Sequence, residues 1–310
     1  MIKYYLKETA AAHLTKKGWG DVMKFGVLYA YWTNEWSGDY LYYARKIRDI
    51  GFDIMEISAG DLLKMSDTEL DNLKALADDI GLQINSNIGP PKEYDVASHD
   101  PAVRARGIEF LTNIMKRMDR LNSRSLAGVT YTYWPNDFSD LDKPAIWARG
   151  VDSVKVLGKS AAELGITMHL EVVNRFETPI LNTSEEAVAF CNDVGNPNVN
   201  ILLDTFHMNI EEDDICDAIR IAGKLLGYMH IGEGNRKIPG QGHLPWADIG
   251  KALCDIGFDG AVVMEPFVLQ GGQVGKDIKV FRDLSGGADE EKMDADLKTG
   301  LAFLKSNFLQ

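Results

Sequence analysis

The chain has 310 residues, 45% of them hydrophobic, which is enough for one large domain around a single core. Its 46 acidic side chains outnumber 33 basic ones, and the net charge of −13 repels a phosphate backbone, so nucleic acid is excluded as the expected partner and a neutral small molecule fits better. Cys191, Cys216 and Cys254 form no C-x-x-C pair, so neither a disulfide framework nor a zinc knuckle is expected and the setting reads as reducing and cytoplasmic.

No run reaches the ~18 unbroken apolar residues of a membrane span, and Lys3 to Ala12 lacks the apolar centre of a secretory signal, so no membrane partner is expected. Residues 1–22 stand apart, because Met23 precedes a strand-like run, Phe25 to Tyr31, as a start codon would. They read as an N-terminal extension, from an alternative start or as an expression remnant. The competing reading is an amphipathic helix capping the bottom of the fold.

From Met23 onward one punctuation recurs: an apolar helix end, then Gly or Asn, then an apolar strand. It is seen at Ile50-Gly51-Phe52, Ile80-Gly81-Leu82, Leu121-Asn122-Ser123, Leu164-Gly165-Ile166, Val194-Gly195-Asn196, Ala222-Gly223 and Ile256-Gly257-Phe258. Glycine there suits the left-handed position that ends a helix. The spacing is that of a βα unit. Strands are expected near 25–31, 54–58, 83–87, 125–129, 167–173, 199–204, 226–231 and 260–265, each short, apolar and followed by a helical pattern. Ser66-x-x-Glu69 and Thr183-x-x-Glu186 read as capping boxes, and Asp100-Pro101 as an N-cap with a first-turn proline. Eight such units over residues 23–310 predict an α/β fold, a single-domain (β/α)8 TIM barrel. The alternative is an open doubly wound sheet, but no G-x-G-x-x-G follows the first strand.

In such a barrel chemistry sits where strands end and βα loops begin. Four polar residues take that place on consecutive strands: Glu171, Asp204, His230 and Glu265. A carboxylate at the end of an apolar strand must be paired or metal-bound, and no Lys or Arg occurs inside these strands. Three carboxylates and an imidazole therefore ask for one divalent cation, and their lack of thiolate favours Mn2+, Mg2+ or Co2+ over structural zinc. His169, two residues before Glu171, faces the interior one layer below. It reads as a hydrogen-bonded core histidine, or else as a contact that orients a ligand.

At these residues the chain resembles the D-tagatose 3-epimerase / D-allulose (D-psicose) 3-epimerase family of xylose-isomerase-like barrels. The resemblance spans Met23 to the C-terminus. Its most specific pieces are Asp204-Thr205-Phe206-His207-Met208-Asn209-Ile210-Glu211-Glu212, Val173-Asn174-Arg175-Phe176-Glu177, Gly232-Glu233-Gly234-Asn235-Arg236, Met264-Glu265-Pro266-Phe267 and Tyr131-Thr132-Tyr133-Trp134-Pro135. It implies a metal-dependent isomerase acting on free ketohexoses (D-fructose/D-allulose, D-tagatose/D-sorbose), with Mn2+ or Co2+ as cofactor, Mg2+ as a further option, and a homodimer or homotetramer as the assembly. The family's metal ligands map onto Glu171, Asp204, His230 and Glu265. Its substrate contacts map onto Glu177, His207 and Arg236, with Trp134 and Phe267 as walls and Leu28 where the family commonly carries an aromatic residue.

Inverting C3 of a ketose removes a proton α to the carbonyl and returns one on the opposite face, so a carboxylate is wanted on each side of a cis-enediolate. The resemblance thus makes Glu171 and Glu265 catalytic as well as ligating. The rival enzyme is an epimerase or isomerase of a related sugar or sugar phosphate. Gly271-Gly272 and Arg282 lie where barrels often bind phosphate, yet no phosphate cradle is evident and the loop reads as a rim or subunit contact. A metal-dependent nuclease would want more histidines than the six present. A non-catalytic sugar-binding barrel leaves two glutamates beside one metal unexplained.

Overall fold

A computed structural model describes residues 23–309; the readings of residues 1–22 fall outside that range. The eight strands are β1 (Lys24–Leu28), β2 (Ile54–Ser58), β3 (Gln83–Asn87), β4 (Ser125–Gly128), β5 (Thr167–Val172), β6 (Val199–Asp204), β7 (Leu226–Ile231) and β8 (Ala261–Met264). They close in chain order into one parallel barrel, with β1 meeting β8 through Lys24 and Ala261. The helices are α1 (Tyr40–Ile50), α2 (Asp67–Ile80), α3 (Pro101–Leu121), α4 (Lys143–Glu163), α5 (Ser184–Val194), α6 (Thr205–Glu211), α7 (Ile215–Ala222), α8 (Trp246–Ile256), α9 (Gly272–Asp277) and α10 (Glu290–Phe308). The fold is the single-domain TIM barrel expected from the strand count. None of the helices among the described residues is long and apolar enough to cross a membrane.

Four strands, β1, β4, β5 and β8, end sooner than their apolar runs suggest, β1 by three residues and the others by one. β1 stops at Leu28, and Tyr29–Trp32 form a 3-10 turn that keeps Tyr29 and Tyr31 buried while the chain leaves the rim. A strand persists only where neighbours pair with it, and the ladder to β2 ends at Leu28 and Glu56. β4 stops at Gly128, whose φ of 112° only glycine adopts easily, and a Cβ there would lie 2.3 Å from the Ile88 carbonyl oxygen.

The expected helix signals are present with one change. Ser66 and Glu69 form a reciprocal capping box, and Asp100 caps α3 through the Ala102 N–H at 2.8 Å. Thr183 accepts from the Glu186 N–H, but the Glu186 carboxylate accepts the N–H of Asn182 rather than that of Thr183, because it also reaches across to Lys143 on α4. All seven punctuating residues take positive φ, Gly81 at 66° and Asn122 at 61° among them.

Candidate active site

The four strand-end residues converge as the strand count requires. Glu171 lies on β5, Asp204 closes β6 and His230 lies on β7, where it is the register partner of Asp204. Glu265 stands one residue past β8, but its N–H donates to the Ile231 carbonyl at 2.9 Å, so the ladder continues one rung and holds it at the rim. Each offers one donor atom, and these atoms all lie within 4.8 Å of one another, all in buried side chains. Thr205 fastens the two central strands, its hydroxyl donating to the Gly232 carbonyl at 2.7 Å and accepting the Gly232 N–H at 3.0 Å.

The charges in this cluster are unbalanced. Burial pushes the Glu265 carboxyl well above its usual range; the His230 charge opposes this, while Glu171 and Asp204 add to it. Burial disfavours protonated His230, yet the carboxylates of Glu265, Glu56 and Glu171 outweigh burial and hold its pKa well above the usual value. Three buried carboxylates this close call for added positive charge if they are to ionise together, so the donor set fits a divalent cation.

A basic residue does reach the cluster, although the strands contain none. Arg236, from the loop after β7, places Nη1 3.4 Å from Asp204 and 3.6 Å from Glu265, and Nη2 3.7 Å from Glu177. At those separations one guanidinium is spread over three carboxylates and does not neutralise the site. It is buried, with φ of 64°, and its Nε has no partner among the described residues. The preceding Glu233 explains its placement: fully buried, Glu233 accepts from the Gly240 N–H at 2.7 Å and from Trp246 Nε1 at 2.8 Å, which folds the loop back over the barrel mouth.

The other expected substrate contacts line one cavity of about 580 Å3 above the cluster, together with Glu171, Arg236 and Glu265. Leu28 ends β1 at its wall, and Phe267 is buried beside Arg236. Trp134 donates from Nε1 to Glu177 at 2.8 Å. Burial would raise the Glu177 pKa, but the charges of His207 and Arg236 and this hydrogen bond bring it below the ordinary carboxylate value. The Nδ1 of His207 accepts the Asn174 N–H at 3.1 Å, so a ring proton is carried on Nε2, which faces Asp204 at 3.5 Å.

Several residues of the site escaped the sequence reading. Asn174 links Glu177 and His207 through its side-chain amide, at 3.3 and 2.8 Å. Trp36, held by its Nε1 to Asp277 at 2.8 Å, packs edge-on against both Trp134 and Phe267 over the cavity. Glu56, in the middle of β2, is fully buried and bonds His230. Its one visible signal was an acid inside the apolar run Ile54-Met55-Glu56-Ile57.

His169 corrects an expectation. It faces the interior, but its Nδ1 has no hydrogen-bond partner among the described residues and its ring packs 5.1 Å from that of Tyr228. Burial lowers its pKa to about 4, against a smaller opposing pull from Glu56, so it is a neutral aromatic spacer. The Gly271-Gly272 loop packs on Asn34, whose carbonyl takes the Val274 N–H at 3.0 Å, while Arg282 lines a separate surface cleft with Lys237 and Asp283.

Comparison with known proteins agrees with this geometry. A family model described as xylose isomerase-like TIM barrel matches residues 44–284. The D-psicose 3-epimerase of Agrobacterium fabrum is 49% identical over 282 residues, covering 91% of this chain and 98% of that protein. An L-ribulose 3-epimerase of Mesorhizobium japonicum is 37% identical over 222 residues, covering 71% of this chain and 73% of its own. A crystal structure of D-psicose 3-epimerase with D-tagatose from Clostridium cellulolyticum superposes with a TM-score of 0.92 at 46% identity, covering 93% of this chain and all of that one. The chain belongs to the xylose isomerase-like TIM barrels and, among them, to the D-psicose 3-epimerase family. It is a sugar epimerase, an enzyme of the isomerase class.

Proposed function

We propose that this enzyme inverts C3 of free ketohexoses, exchanging D-fructose with D-allulose and D-tagatose with D-sorbose, with one divalent cation, Mn2+ or Co2+, held by Glu171, Asp204, His230 and Glu265. The observation that carries the reading is that Glu171 on β5 and Glu265 just past β8 both line the cavity above the cluster and both approach Nδ1 of His230, at 3.2 and 3.6 Å. The relatives named as 3-epimerases supply the substrate class.

One glutamate takes the C3 proton on one face of the ketose, leaving a planar cis-enediolate, and the other returns a proton to the opposite face. The roles exchange with direction, so no net proton is gained or lost. The cation, when bound, supplies Lewis-acid stabilisation for the charge that develops across O2 and O3. Glu177 and His207 hold the O1 and O2 end, the latter through its Nε2–H, and Arg236 offers its guanidinium there. Leu28, Trp134 and Phe267 wall the remainder with apolar surface, which discriminates weakly among hydroxyl configurations. A homodimer or homotetramer would cover exposed apolar side chains such as Phe176 and Phe281.

The test is turnover of D-fructose, D-allulose, D-tagatose and D-sorbose in deuterated water, with Mn2+ or Co2+ restored after chelation. Deuterium should appear at C3 of the product, and Glu171→Gln and Glu265→Gln should each lose roughly 100- to 10,000-fold in kcat. Near-normal turnover by either variant sinks the two-glutamate scheme. Faster turnover of the ketose phosphates than of the free sugars sinks the substrate assignment.

A further inference from the structure

Glu56 is a fully buried carboxylate to which the reaction scheme gives no task. Such a group is costly unless every oxygen is satisfied. Here three donors meet it: His230 through Nε2 at 3.0 Å, Asn87 through Nδ2 at 3.1 Å, and the Tyr228 hydroxyl. Those three donors outweigh burial and bring the Glu56 pKa below the ordinary value. The network continues away from the cavity. Asn85 donates to the Tyr228 hydroxyl at 3.0 Å, Gln83 donates to Asn85 at 2.8 Å, and Lys24 at the opposite rim donates to Gln83 at 3.0 Å.

The geometry at His230 is directional. Its Nε2 faces Glu56, while Nδ1 faces Glu171 and Glu265. An imidazole that donates from Nε2 presents a lone pair at Nδ1, and its ring cannot flip without breaking that bond. We propose that Glu56 is a positioning residue: by accepting the Nε2–H of His230 it fixes the tautomer and ring angle that turn Nδ1 toward the metal-binding carboxylates. Tyr228 and Asn87 in turn hold Glu56. The proposal rests on the reading that the four-residue cluster takes a divalent cation.

The experiment is Mn2+ titration of chelator-treated enzyme, following free Mn2+ by electron paramagnetic resonance, for wild type, Glu56→Gln, Glu56→Asp and Tyr228→Phe. Wild type should bind one ion per chain. Glu56→Gln should weaken binding roughly ten- to hundred-fold, the usual cost of losing a partner that orients a metal-bound histidine. Tyr228→Phe should weaken it less, and Glu56→Asp, which keeps the charge, should recover part of the loss. The Co2+ absorption bands of Glu56→Gln should also change shape, which a general loosening of the barrel would not produce. A folded Glu56→Gln variant that binds Mn2+ as wild type does overturns the proposal. If that variant does not fold, Tyr228→Phe decides in the same way. Failure of wild type itself to bind any ion overturns the four-ligand reading instead, so the two failures are distinguishable.

Discussion

The Arg236 guanidinium carbon lies 3.6 Å from the centre of the Phe206 ring, so the cation that serves three carboxylates is also stacked on an aromatic face. Two residues from different elements thereby meet: Phe206 is the second residue of α6, two positions past Asp204, and Arg236 lies in the loop after β7. The stack leaves the guanidinium edge free to face Asp204, Glu265 and Glu177.

Phe206→Leu keeps the apolar bulk and removes the ring. A partly desolvated cation–π contact contributes about 1 kcal/mol, which corresponds to roughly a fivefold change in an equilibrium. The expected outcome is a severalfold higher KM for ketose with kcat changed less. Equal KM values would show that the carboxylates alone hold Arg236.

Trp134→Phe deletes the hydrogen bond to Glu177. That bond is one of the influences that lower the Glu177 pKa, after the charges of His207 and Arg236, so its loss moves the pKa upward. The acid limb of the kcat/KM profile should therefore shift to higher pH in the variant. The same sign holds for stability: a depressed carboxylate pKa stabilises the fold above its unfolded value, and this is lost as pH falls through the folded value. The variant has less to lose on acidification, which urea titrations at two pH values will measure.

Chelation should lower thermal stability as well as activity. Binding to the folded state alone adds about 2.7 kcal/mol when free ion is a hundredfold above Kd, or roughly 5 °C for a chain of this size. Calorimetry with chelator and then with Mn2+ should show that difference in wild type and only a small fraction of it in Asp204→Asn. An identical melting temperature under both conditions contradicts a metal site in this cluster.

Burial raises the Cys191 thiol to about 12, whereas Cys216 and Cys254 are only partly buried. At pH 8 iodoacetamide should leave Cys191 intact in the folded enzyme and modify it once guanidinium is added, as peptide mapping would read. Because the folded pKa is raised, the associated stability is complete below the unfolded thiol value and declines as pH climbs toward 12. Labelling of native Cys191 as fast as Cys216 would contradict its burial.

Gly107→Ala sets two effects of opposite sign against each other. Within a helix the change is worth roughly 1 kcal/mol in favour of Ala. In this fold, however, the added Cβ would lie 2.2 Å from the Tyr94 carbonyl oxygen, where backbone must move. Overpacking of that kind costs about 1–3 kcal/mol, so a net loss is expected in denaturant titration, accompanied by altered sugar affinity because Tyr94 and Phe110 line the far side of the cavity.

Much of this molecule was legible along the chain. Strand ends, helix caps and the four converging side chains follow from local patterns, because apolar periodicity and turn glycines act over a few residues and a barrel puts each strand end on one rim. The resemblance of five short segments named the chemistry on that rim. Three further relationships depended on closure of the barrel. Glu56 meets His230 across 174 positions of sequence, Arg236 reaches carboxylates from three other βα units, and His169 turns out to pack rather than to bond. Alternation tells which side chains point inward. Which inward side chains touch is set by strand tilt and register around eight strands, a property of the closed sheet that no single segment carries.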